Sequence, residues 1–188
     1  MPSAIVSTVG GSASNSYLSL AELLVLLDDG PNAGLVSSTT TADQTRALLQ
    51  ATARLDLESW TGVRVNQTQK LAWPRNYAVD PDKTNTNVGS TYARPYDMVV
   101  YLNASTIPDR IRSACAELAV VILQAGSGVD PFANDPSRDI LIERIGSLMT
   151  QYRNESPQRE DALSKWPRVW RAIEPLLESS QANKVERK

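Results

Sequence analysis

The sequence predicts a mainly α protein: a small helical bundle with a long central loop, short β-strands and an extended C-terminal arm. Three observations point there. Apolar residues recur at three- and four-residue spacing in separate stretches, opened by capping residues or proline and closed by glycine. The stretch 76–104 lacks a helical period, and the last part of the chain turns polar around a small group of tryptophans. With 188 residues, the chain can hold one ordinary domain with appendages, not two full cores.

The opening MPSAIVSTVGGSASNS is small and polar, and residues 1–15 read as a flexible arm. Ser19 and Glu22 form a capping box for a first helix over Leu20–Asp29, with Leu20, Leu23, Leu24 and Leu27 as its stripe and Gly30-Pro31 as its stop. Asn32–Thr41 is rich in serine and threonine and reads as a loop whose last threonine, with Gln44, caps the next helix. That helix, Ala42–Trp60, carries Ala47, Leu48, Ala51, Leu55 and Leu57–Trp60 on a broad apolar face, and Gly62 ends it. Pro74 makes the following segment extended or turning. Met98–Leu102 suits a short strand at the end of a loop long enough to be functional. Pro108 opens the best-patterned helix, in which Ile111, Ala114, Cys115, Leu118, Ala119, Val121 and Ile122 fill a wide arc up to Gly126. Asp139–Ile145 fits helix or strand, and Ser147–Tyr152 is β-compatible with weak alternation. Trp166, Val169, Trp170 and Ile173 would line one side of a short helix starting near Pro167, which Pro175 perturbs or ends. The expected organisation is an arm at 1–15, a helical core at 16–152 with an inserted loop at 76–104, and a docking segment and tail at 153–188.

Composition removes several classes of function. Lys and Arg total 19 against 21 Asp and Glu, a formal charge of −2, which is not the footprint of a dedicated duplex-DNA binder. The absence of histidine excludes imidazole-dependent triads, dyads and zinc sites. One cysteine excludes internal disulfides and CxxC pairs, and Cys115, set among alanines on an apolar arc, reads as a core residue. Gly10-Gly11 is followed by SASNS, so no phosphate-binding Walker loop exists. Asp28-Asp29 and Asp80/Asp82 read as solvated carboxylates in preference to Mg²⁺ ligands. The expectation is a non-enzyme with no catalytic residues, no metal and no cofactor. Apolar runs fall well short of the ~20 residues of a membrane span, and Met1–Gly11 lacks the regions of a secretory signal, so synthesis in the cytoplasm without membrane association is expected.

Two constellations remain. Tyr77, Tyr92, Tyr96 and Tyr101, interspersed with Arg75 and Arg94, could stack single-stranded bases or anchor a protein interface, and the net negative charge favours the interface. Trp166 to Ile173, with Arg168 and Arg171 between, fits docking into another subunit or packing within the chain.

The order of motifs adds to this reading. Ser16-Tyr17-Leu18-Ser19, Ala47-Leu48-Leu49-Gln50-Ala51-Thr52 with Leu55-Asp56, Gln69-Lys70-Leu71-Ala72-Trp73-Pro74-Arg75, Ile107-Pro108 with Ala114-Cys115-Ala116-Glu117-Leu118-Ala119, and Ile145-Gly146-Ser147 with Tyr152 together resemble tailed-bacteriophage head–tail adaptor (head completion or connector) proteins. That family is also labelled DnaT-like single-stranded-DNA-binding protein. The Leu-Ala-Trp-Pro-Arg block carries most of the likeness. The resemblance implies a structural virion protein at the head–tail junction, made and assembled in the host cytoplasm. It would form a ring of about twelve copies beneath the portal, a closed assembly of like subunits, and would extend the DNA channel and seat a tail or nozzle protein. Its implied partners are the portal protein, the tail or nozzle protein and itself, with non-specific passage of double-stranded DNA. The subunit or portal interface would draw on Trp73, Arg75, Tyr92, Tyr96, Trp166, Arg168, Trp170, Arg171, Ile173, Leu176 and Leu177. The alternative is a single-stranded-DNA-binding protein, suggested by the label and the tyrosine- and arginine-rich loop.

Overall fold

In the computed structural model the described residues are 3–82, 99–126, 129, 131–132, 142–145, 148–151 and 162–178. Their architecture is mainly helical, as the periodicity predicts. Its spine is a pair of helices, α3 (Thr41–Leu55) and α4 (Asp109–Ala125). Ala47, Leu48, Ala51 and Leu55 of α3 and Ile111, Ala114, Cys115, Leu118, Ala119 and Ile122 of α4 are all buried. The alanines on both helices let the two backbones approach closely. Buried Thr52 stays satisfied by donating to the Leu48 carbonyl at 3.0 Å, and its hydroxyl lies 3.4 Å from the Cys115 thiol.

Helix α1 (Leu20–Asp28) begins with the expected box: the Ser19 N–H donates to Glu22 Oε2 at 2.8 Å, and the Glu22 N–H donates to Ser19 Oγ at 3.3 Å. Glu22 also accepts from Arg112 Nη2 at 2.8 Å, tying α1 to α4. Leu23 and Leu27 are buried, but Leu24 is exposed, so the stripe is narrower than expected. The expected loop at 32–41 instead contains α2 (Ala33–Ser38). Its serines concealed it: Ser37 and Ser38 hydroxyls donate back to the Ala33 and Leu35 carbonyls, so these side chains bond within the helix instead of competing with it. Gln44 Nε2 donates to the last carbonyls of α2, Val36 O at 2.8 Å and Thr39 O at 3.3 Å. The cap of α3 is accordingly Thr40, which accepts from the Asp43 N–H.

Helix α3 stops at Leu55, short of Trp60, because Asp56 turns to other work. Its carboxylate accepts from Tyr17 Oη at 2.5 Å and from the Ala72 N–H at 2.6 Å, which fastens the incoming and outgoing chain to the end of the helix. Burial, and then the neighbouring Asp56 carboxylate, push the Tyr17 hydroxyl far above its ordinary value, so it remains a donor.

Strands β1 (Val63–Arg64) and β2 (Arg75–Asn76) pair antiparallel, and Val79 bridges Tyr101 in the same sense. Strand β3 (Ile142–Ile145) pairs antiparallel with β4 (Leu148–Gln151), Ile145 opposite Leu148, so the described parts of the 139–152 stretch are strand; 139–141, 146–147 and 152 lie outside the described residues. Near the C-terminus a 3-10 turn at Ala162–Lys165 leads into α5 (Pro167–Ile173), and Pro175 converts its end into a second 3-10 turn, Glu174–Leu176.

Two expectations about the ends need correction. Residues 162–178 are not an extended arm. Leu163, Val169, Ile173 and Leu176 are buried, α5 packs on α4, and the Thr61 N–H donates to the Leu176 carbonyl at 3.0 Å, so the core continues past residue 152. The helical spacing of these residues finds its partner within the chain. The described part of the N-terminal arm is likewise tied down: the Asn15 side chain accepts from the Val6 N–H at 2.7 Å and donates to the Ala4 carbonyl at 2.8 Å, and Ser14 and Ser16 are buried. The outer parts of the docking segment, 153–161 and 179–188, lie outside the described residues.

Candidate nucleic-acid interface

One side chain ties the turn at residues 60–62 to the segment that follows Ala72. Arg75, on β2, donates from Nη2 to the Gly62 carbonyl at 2.6 Å and the Trp60 carbonyl at 3.2 Å, from Nε to the Thr61 carbonyl at 2.7 Å, and from Nη1 to the Ala72 carbonyl at 3.4 Å. Burial and the facing Arg64 pull its pKa below the ordinary arginine value. A guanidinium engaged in this way organises a turn and leaves little to offer a partner. Beneath it, Trp60 and Trp73 pack edge to face with centroids 5.7 Å apart, and Trp73 is 1% exposed. Gln69, also buried, donates to the Leu71 and Pro74 carbonyls. The Gln-Lys-Leu-Ala-Trp-Pro-Arg block is therefore a folded plug, and its sequence specificity reflects packing.

This plug supports an exposed aromatic pair. Tyr77 directly follows β2, and Tyr101 lies on the facing segment, where the Leu102 N–H donates to the Ala78 carbonyl at 2.8 Å and the Asp80 N–H donates to the Val100 carbonyl at 2.7 Å. The two rings meet edge to face, centroids 5.9 Å apart at 87°, yet Tyr77 is 70% and Tyr101 52% exposed. Val63, Val65, Val79 and Val99 are exposed on the same strands and their flanks. Arg64, opposite Arg75 in the β1–β2 register, is exposed.

Tyr77 has φ +61°, a conformation that bulky L-residues rarely adopt and that costs on the order of 1–3 kcal/mol. What holds it there is close packing below: an added Cβ at Gly62 would lie 2.3 Å from Asn76 O and 2.8 Å from Ala78 N. The fold thus accepts strain and keeps two large rings in water. Both costs make sense where the rings have a ligand to cover.

At the margin, Asp82 accepts from Arg110 Nη2 at 2.5 Å and Nε at 3.0 Å, and this pairing raises the Arg110 pKa. The carboxylates weighed for Mg²⁺ thus meet a protein cation at Asp82, and no cluster of three or more metal-ligating side chains occurs among the described residues.

The sequence-predicted interface residues fall into distinct groups. Trp73, Ile173 and Leu176 are buried in the core, so in this conformation their side chains cannot meet a partner. Arg75 is committed to backbone carbonyls. Trp166 is half-buried against Phe132, centroids 5.1 Å apart, and Trp170 and Leu177 pack partly on the core. Arg168 lies 3.5 Å from Glu117, while Arg171 is exposed. Tyr92, Tyr96 and Arg94 lie outside the described residues. Of the four tyrosines considered for stacking, the structure brings Tyr77 and Tyr101 together. Sequence reasoning missed Arg64 and the valines beside them; the alternating Val-Arg-Val at 63–65 was the available signal.

The fold is mainly helical, with an exposed aromatic pair set beside its short strands. The family described as "Putative DnaT-like ssDNA binding protein" matches residues 3–188, and the chain belongs to that family. No curated protein and no solved structure matched it.

Proposed function

We propose that the protein binds single-stranded DNA, with Tyr77 and Tyr101 as its base-stacking platform and Arg64 beside them. The observation that carries this reading is the exposed aromatic pair with Tyr77 held at positive φ, and the family match supports it. Unpaired bases present faces that stack on tyrosine irrespective of sequence, at ~1–3 kcal/mol per base. The reading is of a non-enzyme. Fluorescence anisotropy with labelled (dT)15 tests it. Tyr77→Ala and Tyr101→Ala should each weaken binding about tenfold or more, in line with 1.4 kcal/mol per decade, while leaving the melting temperature unchanged. Binding that ignores both substitutions refutes the site.

A second reading, a head–tail connector built from copies of this chain beneath a portal, draws on α1. That helix is apolar on more than its buried face: Leu24 and Leu26 are exposed and Val25 is 75% exposed. An all-round apolar helix generally has a further surface to meet. Under this reading the protein resides in virions and the α1 face joins neighbouring subunits. Imaging of purified particles should show a ring at the neck, and Val25→Glu should abolish it without unfolding the subunit; particles lacking the chain refute this reading.

A further inference from the structure

We propose that the groove between α3 and the end of α4 is a second nucleotide-binding subsite, in which Arg54 both stacks on a base and contacts a phosphate. The groove has a volume of about 830 Å³, within the ~300–1,000 Å³ of ligand clefts. One wall is a stripe of Arg46, Gln50 and Arg54 at i, i+4 and i+8 on α3, so successive donors are about 6 Å apart along the axis. That interval is close to the reach from one phosphate to the next on an extended strand. The opposite wall, from Ile122 and Leu123 to Val129 and Phe132, is apolar.

Two observations make Arg54 more than a surface cation. Its guanidinium carbon sits 5.3 Å from the centroid of Phe132, which is in turn braced edge to face by Trp166. The guanidinium is thereby held beside an aromatic ring, and a planar charged group of this kind can take a base against its free face. Its Nε is buried and has no hydrogen-bond partner among the described residues, although a donor removed from water ordinarily finds an acceptor. Arg46, at the rim, is partly neutralised by Asp43 at 2.6 Å, which leaves Arg54 as the principal anion contact. A planar ring joined to a phosphate suits a guanidinium set against an apolar wall, the ring covering the apolar side and the phosphate meeting the charge.

The inference rests on the single-strand reading but concerns a different surface, so the two can fail separately. Binding of (dT)15 is measured by anisotropy across a salt series for the wild type, Arg54→Gln, Arg54→Lys and the Tyr77→Ala/Tyr101→Ala double variant. Each phosphate contact on a single strand contributes about 0.7 to the slope of log affinity against log salt. Arg54→Gln should lower the slope by about 0.7 and the affinity about 5- to 10-fold, whereas the tyrosine variant should lose affinity at unchanged slope. Arg54→Lys keeps the charge and guards against misfolding: it should keep the slope and lose affinity with the stack. An unchanged slope in Arg54→Gln, with tyrosine-dependent binding intact, overturns the groove alone. If the wild type ignores (dT)15, the single-strand reading falls, and titration with dTMP and with inorganic phosphate decides the groove. Arg54-dependent binding of dTMP sustains it as a free-nucleotide site, and no binding of dTMP, or equal binding of phosphate alone, overturns it.

Discussion

Replacing Arg75 by methionine separates a structural role for that residue from a recognition role. Methionine keeps much of the aliphatic stem and removes the guanidinium. The two short bonds, 2.6 Å to Gly62 O and 2.7 Å to Thr61 O, are charge-assisted, and such bonds contribute about 1.5–3 kcal/mol each. The bonds to Trp60 O and Ala72 O at 3.2 and 3.4 Å add less. Because the guanidinium is only half-buried, water can replace part of what is lost, and the expected cost is about 3 kcal/mol, at the low end of the sum of the two short bonds. For a chain of this size that corresponds to roughly a 6–12 °C fall in melting temperature. Lysine should restore less than half, since an ammonium cannot span carbonyls on both sides of the turn. Urea and thermal unfolding, followed by tryptophan fluorescence from Trp60 and Trp73 beside the turn, would measure it. A variant with an unchanged midpoint but weakened oligonucleotide or partner binding would refute the assignment and return Arg75 to the interface.

Other substitutions read the same framework. Gly62→Ala places a Cβ 2.3 Å from Asn76 O at φ +75°, so it should cost at least about 2 kcal/mol, the left-handed penalty plus displaced backbone, and weaken (dT)15 binding by moving Tyr77; unchanged stability and binding would contradict the packing. Burial pushes the Cys115 thiol up to about 12, so 5,5′-dithiobis(2-nitrobenzoate) at pH 8 should label it only as fast as the protein unfolds, and prompt stoichiometric labelling of the native protein would be inconsistent with that burial. The Ser19 backbone N–H, then the Ser19 hydroxyl and Arg112, hold Glu22 below its ordinary 4.5. Its folded-state value being lower than the unfolded one, Glu22 stabilises the protein above that value and ceases to as pH falls through the folded value. Glu22→Gln should therefore flatten the acid limb of a stability–pH profile, and an identical limb would rule out this linkage.

Elements with a private signal were readable in the sequence. The Ser19–Glu22 box, the apolar arc beginning at Pro108 and the proline-bounded α5 each needed no distant partner to be recognised, because capping and periodicity are local. Helix α2 was not, since its serines bond within the helix, a choice made only once Gln44 closes its end. Trp73 and Arg75 looked like interface anchors because indole and guanidinium serve equally at interfaces and in plugs; burial decides between them, and burial depends on where Trp60 and residues 60–62 arrive. The Tyr77–Tyr101 pair was half legible. Composition marked both rings, but their meeting depends on the Val79–Tyr101 bridge across a long stretch of chain.

A chain of net charge −2 is a poor candidate for gripping duplex DNA, whose base faces are stacked away and whose phosphates must carry the affinity. Under the proposed single-strand reading the same charge weighs less, because tyrosine faces would supply what phosphate contacts do not. Most described arginines are already engaged: Arg46, Arg110, Arg112 and Arg168 lie against Asp43, Asp82, Glu22 and Glu117, and Arg75 is spent on carbonyls. Arg64 at the platform and Arg54 in the groove remain on these surfaces to meet a strand, with Arg46 as a weakened third; Arg171 is also exposed but is not among the residues lining the groove. At ~0.7 per phosphate, the salt slope for (dT)15 should be about 2 or less, and a hairpin duplex of equal charge should compete poorly because it offers few unpaired faces. A slope of about 4 or more would require phosphate contacts that these surfaces do not contain, and would move the binding site away from Tyr77 and Tyr101.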